Sequence, residues 1–425
     1  MTSTSSRGRQ ISIAAVCAVS LLAGACTDGE TPSEEAAASE PVPATVPAPP
    51  LDEDAAPATF RTRPSVGMLT VEGAVPGSEL ALYEDSAAVA IGVADDQGAL
   101  VFRDVDPGEL RVATTATPQE ASEIVTVPDL AESVPPQSFY DEQQLDHGYT
   151  YITTRDGTTL AASVYLPGPP EQGPYPTVVE YSGYDPAKPG GNIAEENAAK
   201  LAELGISAAQ ACTMLPFLCD TPAQPSSIVA LALGYAVVAV NVRGTGCSGG
   251  AYDYFDQAQL LDGYDVIETV AAQDWVKGGK VGMVGLSYPG ISQLFVAQTQ
   301  PPHLAAIAPL SVMDDTVRGV LSPGGIFNQG FALTWAEEVL TKAEPLGQGW
   351  EKALIDGGDT VCAENQKLRG QNVAVTEVAL SHAHYPKELG DWYKIADFVD
   401  DIEVPVYLTG AFQDEQTGGR FAHLW

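Results

Sequence analysis

Residues 285–290 read Gly285-Leu286-Ser287-Tyr288-Pro289-Gly290, between a short strand-like stretch, Lys280 to Gly285, and the apolar run Ile291 to Ala297. A serine on a sharp turn from a buried strand into a helix projects its hydroxyl from the edge of a sheet, where it can attack a carbonyl carbon. The helix that follows directs its backbone N–H groups and the positive end of its dipole towards an oxyanion. Glycine at 285 lets the turn pack closely. The pattern departs from Gly-x-Ser-x-Gly, because Pro289 takes the second small position and glycine comes one residue later. Proline still suits the first turn of a helix. The competing reading of Ser287 is an ordinary helix N-cap. The strand before it and the helix after it favour a nucleophile.

The elements that must position this serine begin near Tyr149. Tyr149 to Thr154 and Leu160 to Leu166 flank Asp156-Gly157, a hairpin signal. Thr177 to Tyr181 follows, then a helical Ile228 to Leu233 that stops at Gly234. The run Tyr235 to Val242 is continuously apolar apart from Asn241, as in a strand buried on both faces of a parallel sheet. Asp256 to Val276 reads as a helix. Lys280 to Gly285, Leu304 to Leu310 and Val404 to Gly410 are further strands. Strands alternating with helices predict an α/β fold with a mostly parallel sheet. The alternation lapses over 317–398, which reads as a helical cap inserted over the sheet, so the core covers 140–316 and resumes over 399–425. Ahead of it, short strands between Pro76-Gly77, Asp95 to Gly98 and Pro107-Gly108 predict a small β-sandwich module over 63–130, with a spacer or adhesion role.

The N-terminus reads as an address. Arg7 and Arg9 precede the apolar run Ile11 to Ala23, short for a bilayer span and suited to a signal peptide over 1–25. Leu22-Ala23-Gly24-Ala25-Cys26 resembles a bacterial lipobox, which implies cleavage before Cys26 and a lipid on its thiol; ordinary secretion after cleavage near Ala25 is the alternative. Residues 26–62, rich in Ala, Pro and Glu, read as a disordered tether. An exported protein anchored at a membrane or cell surface is the expectation. The 56 acidic against 20 basic residues, a formal charge of −36, argue against nucleic acid as a partner. Export leaves Cys212, Cys219, Cys247 and Cys362 in an oxidising compartment, with two disulfides expected and a local Cys212–Cys219 bridge preferred. A zinc site combining these with His382 and His384 lacks a CxxC pair, and neither metal nor cofactor is expected. The glycine-rich Arg243 to Gly250 lacks the Gly-Lys-Ser/Thr of a phosphate cradle and reads as a structural loop pinned by Cys247.

Taken together, Arg155-Asp156-Gly157, Tyr175-Pro176-Thr177, Val242 to Gly250, Asp262-Gly263-Tyr264-Asp265, Trp275, the Ser287 turn and Pro301-Pro302-His303-Leu304 resemble, in order, the Xaa-Pro dipeptidyl-peptidase and cocaine-esterase (CocE/NonD) hydrolases, from about Asp146 onwards. The resemblance implies an α/β-hydrolase core, a helical cap, a C-terminal jelly-roll domain and a Ser-Asp-His triad acting on a small-molecule ester or on a peptide with proline second. By position it makes Ser287 the nucleophile. It makes the Tyr184 hydroxyl and the Tyr288 backbone N–H the oxyanion donors, and Asp414 the triad acid, with Glu415 adjacent. Tyr184 also lies just past a strand's C-terminal end, where such sheets place ligands.

The histidine base is missing. The fold places it after the acid, and only His423 follows Asp414, in Arg420 to Trp425, which reads as the start of a helix. The expectation is a fragment whose histidine lies beyond Trp425 and which is inactive alone, since losing a triad member leaves only weak catalysis. A dipeptidyl-peptidase would further need carboxylates for a free amine, and the cap offers Glu337, Glu338 and Asp356. The rival expectation is a catalytically dead ligand-binding or adhesion lipoprotein. Oligomeric state is not legible.

Overall fold

Ala236–Asn241 reads Ala-Val-Val-Ala-Val-Asn, and every residue of it is buried; only a central strand covered on both faces accepts such a run. In a computed structural model that describes residues 48–382 and 384–424, this segment is the fourth of six strands of a mixed sheet. We name them β1 (Gly148–Thr153), β2 (Thr159–Tyr165), β3 (Tyr175–Ser182), β4 (Ala236–Asn241), β5 (Val276–Leu286) and β6 (Leu304–Leu310). Their order is β1-β2-β4-β3-β5-β6, antiparallel as far as the β2–β4 pair and parallel from β4 onwards. The predicted signal peptide, the predicted lipidation site at Cys26 and most of the predicted tether lie outside the described residues.

Alternate residues of the strands face opposite sides. Val178, Val237 and Ala239 pack with Ala230 and Leu231 of α1 (Pro225–Ala232). Val179, Tyr181, Val238 and Val240 face the main core with α2 (Gln257–Ala271) and α3 (Tyr288–Ala297). All ten residues of α3 are buried, as expected of a helix that is apolar on every side. A Cβ on Gly263 of α2 would lie 2.2 Å from Val296 of α3, so glycine sets how closely these helices approach.

Two predicted elements differ. The helix expected to reach Val276 ends at Ala271, and Val276 begins β5 instead. Gly278 and Gly279 have φ of 73° and 60°, and the β3–β5 register shifts where they sit, so the sequence after Ala271 forms a bulged strand. Val404 to Gly410 makes only isolated parallel bridges, Ile307 to Val406 and Leu310 to Thr409. It lies along the outer edge of β6, and Pro405 has no N–H to donate.

The β module is a sandwich. Arg61–Ser65, Met68–Glu72 and Leu100–Arg103 form one sheet; Glu79–Glu84, Ala87–Val93 and Gly108–Thr114, with short edge pieces, form the other. Leu69, Val71, Leu80, Leu82, Phe102 and Val112 fill the space between. The tether expected up to residue 62 ends earlier: Ala56 and Pro57 pair with Glu120 and Ala121, Pro49 accepts a hydrogen bond from the Tyr83 hydroxyl, and Leu51 and Ala55 pack on the module. Extended proline-rich backbone suits a sheet edge, where a missing N–H costs nothing.

The module is docked on the α/β body. Met68, Ala99 and Val101 bury against Ala251, Ala258 and Leu368. Gln371 bonds Asp95, Ala99 and Val101 across the same seam. The region predicted as a cap carries α4 (Phe331–Ala343) and several short helices. Disulfides join Cys212 to Cys219 and Cys247 to Cys362; the second ties the loop after β4 to the cap.

Candidate active site

Ser287 sits between the end of β5 and the first turn of α3 with φ 67° and ψ −123°, a conformation that L-residues rarely adopt and that costs about 1–3 kcal/mol. Its N–H donates to the Leu310 carbonyl at the end of β6, 2.9 Å away, and its own carbonyl accepts from Gly290 and Ile291. The turn is closed by two glycines. A Cβ on Gly285 would come within 2.5 Å of Pro289, and one on Gly290 within 2.6 Å of the Leu310 carbonyl oxygen. The displaced glycine of the sequence pattern is therefore the residue that lets α3 approach β6.

Tyr184 follows the C-terminal end of β3, and its hydroxyl lies 3.4 Å from the Ser287 hydroxyl. Its backbone is clamped: the Tyr184 carbonyl accepts from Asn241 of β4 and from Gln348 of the cap. The Trp335 indole N–H, from α4, donates to the Tyr184 hydroxyl oxygen at 3.1 Å. That oxygen is thus occupied as an acceptor, which leaves the tyrosine O–H to donate elsewhere. Tyr288 is the first residue of α3, so its N–H has no acceptor within the helix and opens beside Ser287. Its own ring is buried, with the hydroxyl on Gln259.

Asp414 lies on the loop beyond Val404 to Gly410. Burial pushes its carboxyl up, but the Thr417 and Gln416 N–H groups and the Thr417 and Ser311 hydroxyls outweigh this and hold it below the usual carboxylate range. Glu415 beside it is exposed. Among the described residues no histidine hydrogen-bonds Asp414 or Ser287. His423, in a 3-10 turn, instead meets the buried Asp314 at 3.0 Å, and Arg420 binds the same oxygen. His303 is held by Glu268 and His147 by Asp220. The structure thus brings Ser287, Tyr184 and Tyr288 together and leaves Asp414 without an imidazole.

A cavity of about 830 Å³ opens in front of Ser287, walled by aliphatic and aromatic side chains of α3, of α4 and of the segment after β6. His382 and His384 of the cap also line it, whereas Glu337, Glu338 and Asp356 do not; all three are exposed. The predicted structural role of Arg243 to Gly250 fits what surrounds it. Arg243 is buried on Asp262 of α2 and on Asp156 of the β1–β2 hairpin, and Cys247 is disulfide-bonded. Asp156 stays ionised: its burial is outweighed by Arg243 and Arg63, which hold its carboxyl far below the usual range. Among the described residues no cluster of three or more His, Cys, Asp or Glu side chains is placed to hold a metal ion.

Residues 156–425 match the family model described as X-Pro dipeptidyl-peptidase (S15 family), which is more than half of the chain. The chain belongs to this family. Among S15 relatives, a protein of Mycobacterium bovis provisionally named a serine esterase is 30% identical over 181 residues, covering 40% of this chain and 27% of its own. The cocaine esterase of a Rhodococcus species is 28% identical over 188 residues, covering 44% and 27%. A solved CocE/NonD family hydrolase from Staphylococcus aureus superposes with a TM-score of 0.43 at 22% identity, covering 61% of this chain and 39% of that one. The chain aligns with about a quarter of the length of the curated relatives it matches. This S15 chain has the α/β-hydrolase fold, and its family is one of serine esterases and peptidases.

The sequence did not point to Trp335, Gln348 or Arg103. Trp335 lies 151 residues from the tyrosine it bonds, in a helix whose local sequence carries no catalytic pattern.

Proposed function

We propose that this chain carries the nucleophile of an exported serine hydrolase that cleaves acyl esters or related acyl bonds. Ser287 Oγ attacks the substrate carbonyl carbon and its proton passes to a histidine base, a role for which no described histidine is hydrogen-bonded to Ser287. The Tyr184 hydroxyl and the Tyr288 N–H hold the oxyanion. The protonated histidine, oriented by Asp414, then gives its proton to the leaving oxygen or nitrogen as the acyl–enzyme forms. A water molecule, deprotonated by the same base, releases the acyl group. The observation that carries this reading is the strained Ser287 turn at the end of β5, with a tyrosine hydroxyl 3.4 Å away. A mere helix N-cap serine would have no reason to hold φ at 67° or to sit at the mouth of a cavity, and its side chain makes no cap hydrogen bond here. The expected carrier of the chain in the cell is a lipid on Cys26, read directly from the mass of the N-terminal peptide.

The test is labelling with a fluorophosphonate, which traps a nucleophilic serine. Native protein from source cells should label at one site, the peptide carrying Ser287, and Ser287→Ala should not label. Absence of labelling in a folded native preparation refutes the enzyme reading. It would favour the ligand-binding alternative, to which the pairing of His423 with Asp314 lends its one structural argument.

A further inference from the structure

The wall of the cavity in front of Ser287 does not share the acidic bias of the chain. Acidic residues outnumber basic ones 56 to 20, yet among the described residues the charged side chains on the cavity wall are Arg103, Arg318, Arg420 and a single carboxylate, Asp253. Arg103 comes from the β module, at the end of strand Leu100–Arg103. Its guanidinium is anchored by Nη2 on the Gln371 carbonyl at 2.8 Å, and its Nε lies 3.9 Å from Asp253 Oδ2. That Nε is buried and makes no hydrogen bond. Asp253 itself is mostly shielded from solvent: burial and the neighbouring Asp256 push its carboxyl up, Arg103 pulls it back, and the balance stands at about 6. Arg318 is fixed by the buried Asp315 and lies over the Tyr385 ring. Arg420 is fixed through Nε and Nη2 by the buried Asp314. Each guanidinium has five N–H donors, so both keep donors that their aspartates do not use.

A substrate entering with a free ammonium group needs an ionised carboxylate in a water-poor cavity. Here the one described candidate already has a cation against it. An acceptor-bearing substrate meets guanidiniums that are already oriented, which is the arrangement suited to a carboxylate. We infer that the β module is part of the substrate site: Arg103 occupies the cavity's carboxylate and, with Arg318 and Arg420, selects acyl esters that carry a carboxylate and rejects substrates with a free amine. This rests on Ser287 as the reacting group for the word ester, whereas the binding preference stands on the cavity alone. It also gives the docked module a role other than spacing, because without it Asp253 would face the cavity unpaired.

The experiment is isothermal titration of the full chain carrying Ser287→Ala with two probes matched in size, 4-phenylbutyrate and 4-phenylbutylamine. The carboxylate should bind at least tenfold more tightly than the amine. Arg103→Gln should shrink that ratio at least tenfold by freeing Asp253, and Arg103→Gln with Asp253→Asn should weaken the amine again. If Arg103→Gln does not fold, Asp253→Asn alone serves: it should strengthen the carboxylate and leave the amine weak. Equal or tighter binding of the amine by the parent protein, binding of neither probe, or an unchanged ratio in a folded Arg103→Gln protein overturns the inference. Because the reporter lacks Ser287, these outcomes are independent of the fluorophosphonate result.

Discussion

Glu180, in β3, should make the protein less stable as pH rises from about 4.5 towards neutrality. Its side chain is 1% exposed, one oxygen accepts from the Ser226 and Ser227 hydroxyls of α1, and the other is buried with no partner. Burial pushes its carboxyl up to about 7, against which the serine hydroxyls and the Ser227 N–H pull only partly. The folded state therefore binds this proton more tightly than the unfolded chain does. Stability from this group is complete below the ordinary 4.5, is lost as pH climbs towards about 7, and is flat above. At about 1.4 kcal/mol for each pH unit, the gap corresponds to about 3 kcal/mol. Glu180→Gln removes the titration but leaves an amide with unmet donors, a cost of about 1–3 kcal/mol that does not vary with pH. The informative quantity is thus a double difference. Urea unfolding of both proteins at pH 4.5 and pH 8 should show the variant gaining about 3 kcal/mol on the parent between the two conditions. A double difference below about 1 kcal/mol, or of opposite sign, refutes the assignment of a buried, unpaired carboxyl.

Four further outcomes are expected. Gly290→Ala places a Cβ against the backbone of Leu310, which cannot swing away as a side chain would; it should cost about 1–3 kcal/mol and slow fluorophosphonate labelling of Ser287, while Gly108→Ala, with open space around it, should change neither. Tyr184→Phe should lower the labelling rate of the intact hydrolase by about 10²–10³-fold, the loss typical of one oxyanion donor. Trp335→Phe should lower it less, with thermal stability as the control, because the indole acts only through the tyrosine. Opening the Cys247–Cys362 bridge by Cys247→Ser with Cys362→Ser, which closes a sequence separation of 115, should cost about 5 kcal/mol in a chain-entropy account, against about 2 kcal/mol for the bridge of separation 7 between Cys212 and Cys219; denaturant unfolding of the two double variants compares them.

What was legible in the sequence was what short-range patterns encode. The wholly apolar Ala236 to Val240 requires a central strand, and Gly285, Ser287 and Gly290 mark a turn whose shape depends only on near neighbours. The local Cys212–Cys219 bridge belongs to the same class. Illegible features are those whose partners are far apart in the chain. Arg103 faces Asp253 across the seam between module and body, and Trp335 reaches Tyr184 from the cap. The start of β5 at Val276 was missed for a different reason. The apolar positions before it continue a helical period, and two glycines with positive φ, which carry no hydrophobic signal, decide the outcome. Which of the cap's acidic residues face the site was also not legible, because composition says nothing of direction: Glu337 and Glu338 lie on α4, the helix that sends Trp335 to the site, yet both are exposed.

The proposed oxyanion site is consequently not a property of the core alone. Ser287 and Tyr288 are fixed by β5, β6 and α3, all of which contribute side chains to the main hydrophobic core. Tyr184 is fixed by a loop whose carbonyls are held by Gln348, and its proton is directed by Trp335, both from the cap. The cap is in turn tied to the loop after β4 by the Cys247–Cys362 bridge and by Arg369, which donates to the Gly246 and Ser248 carbonyls. A displacement of α4 by a bound ligand would leave Ser287 where it is and withdraw the indole from Tyr184, freeing the tyrosine oxygen to accept a hydrogen bond from the Ser287 hydroxyl instead of donating to an oxyanion. Under the proposed function, substrates that fill the cavity without disturbing α4 would be the ones turned over, and the fit between cavity wall and acyl group would act on rate as well as on binding.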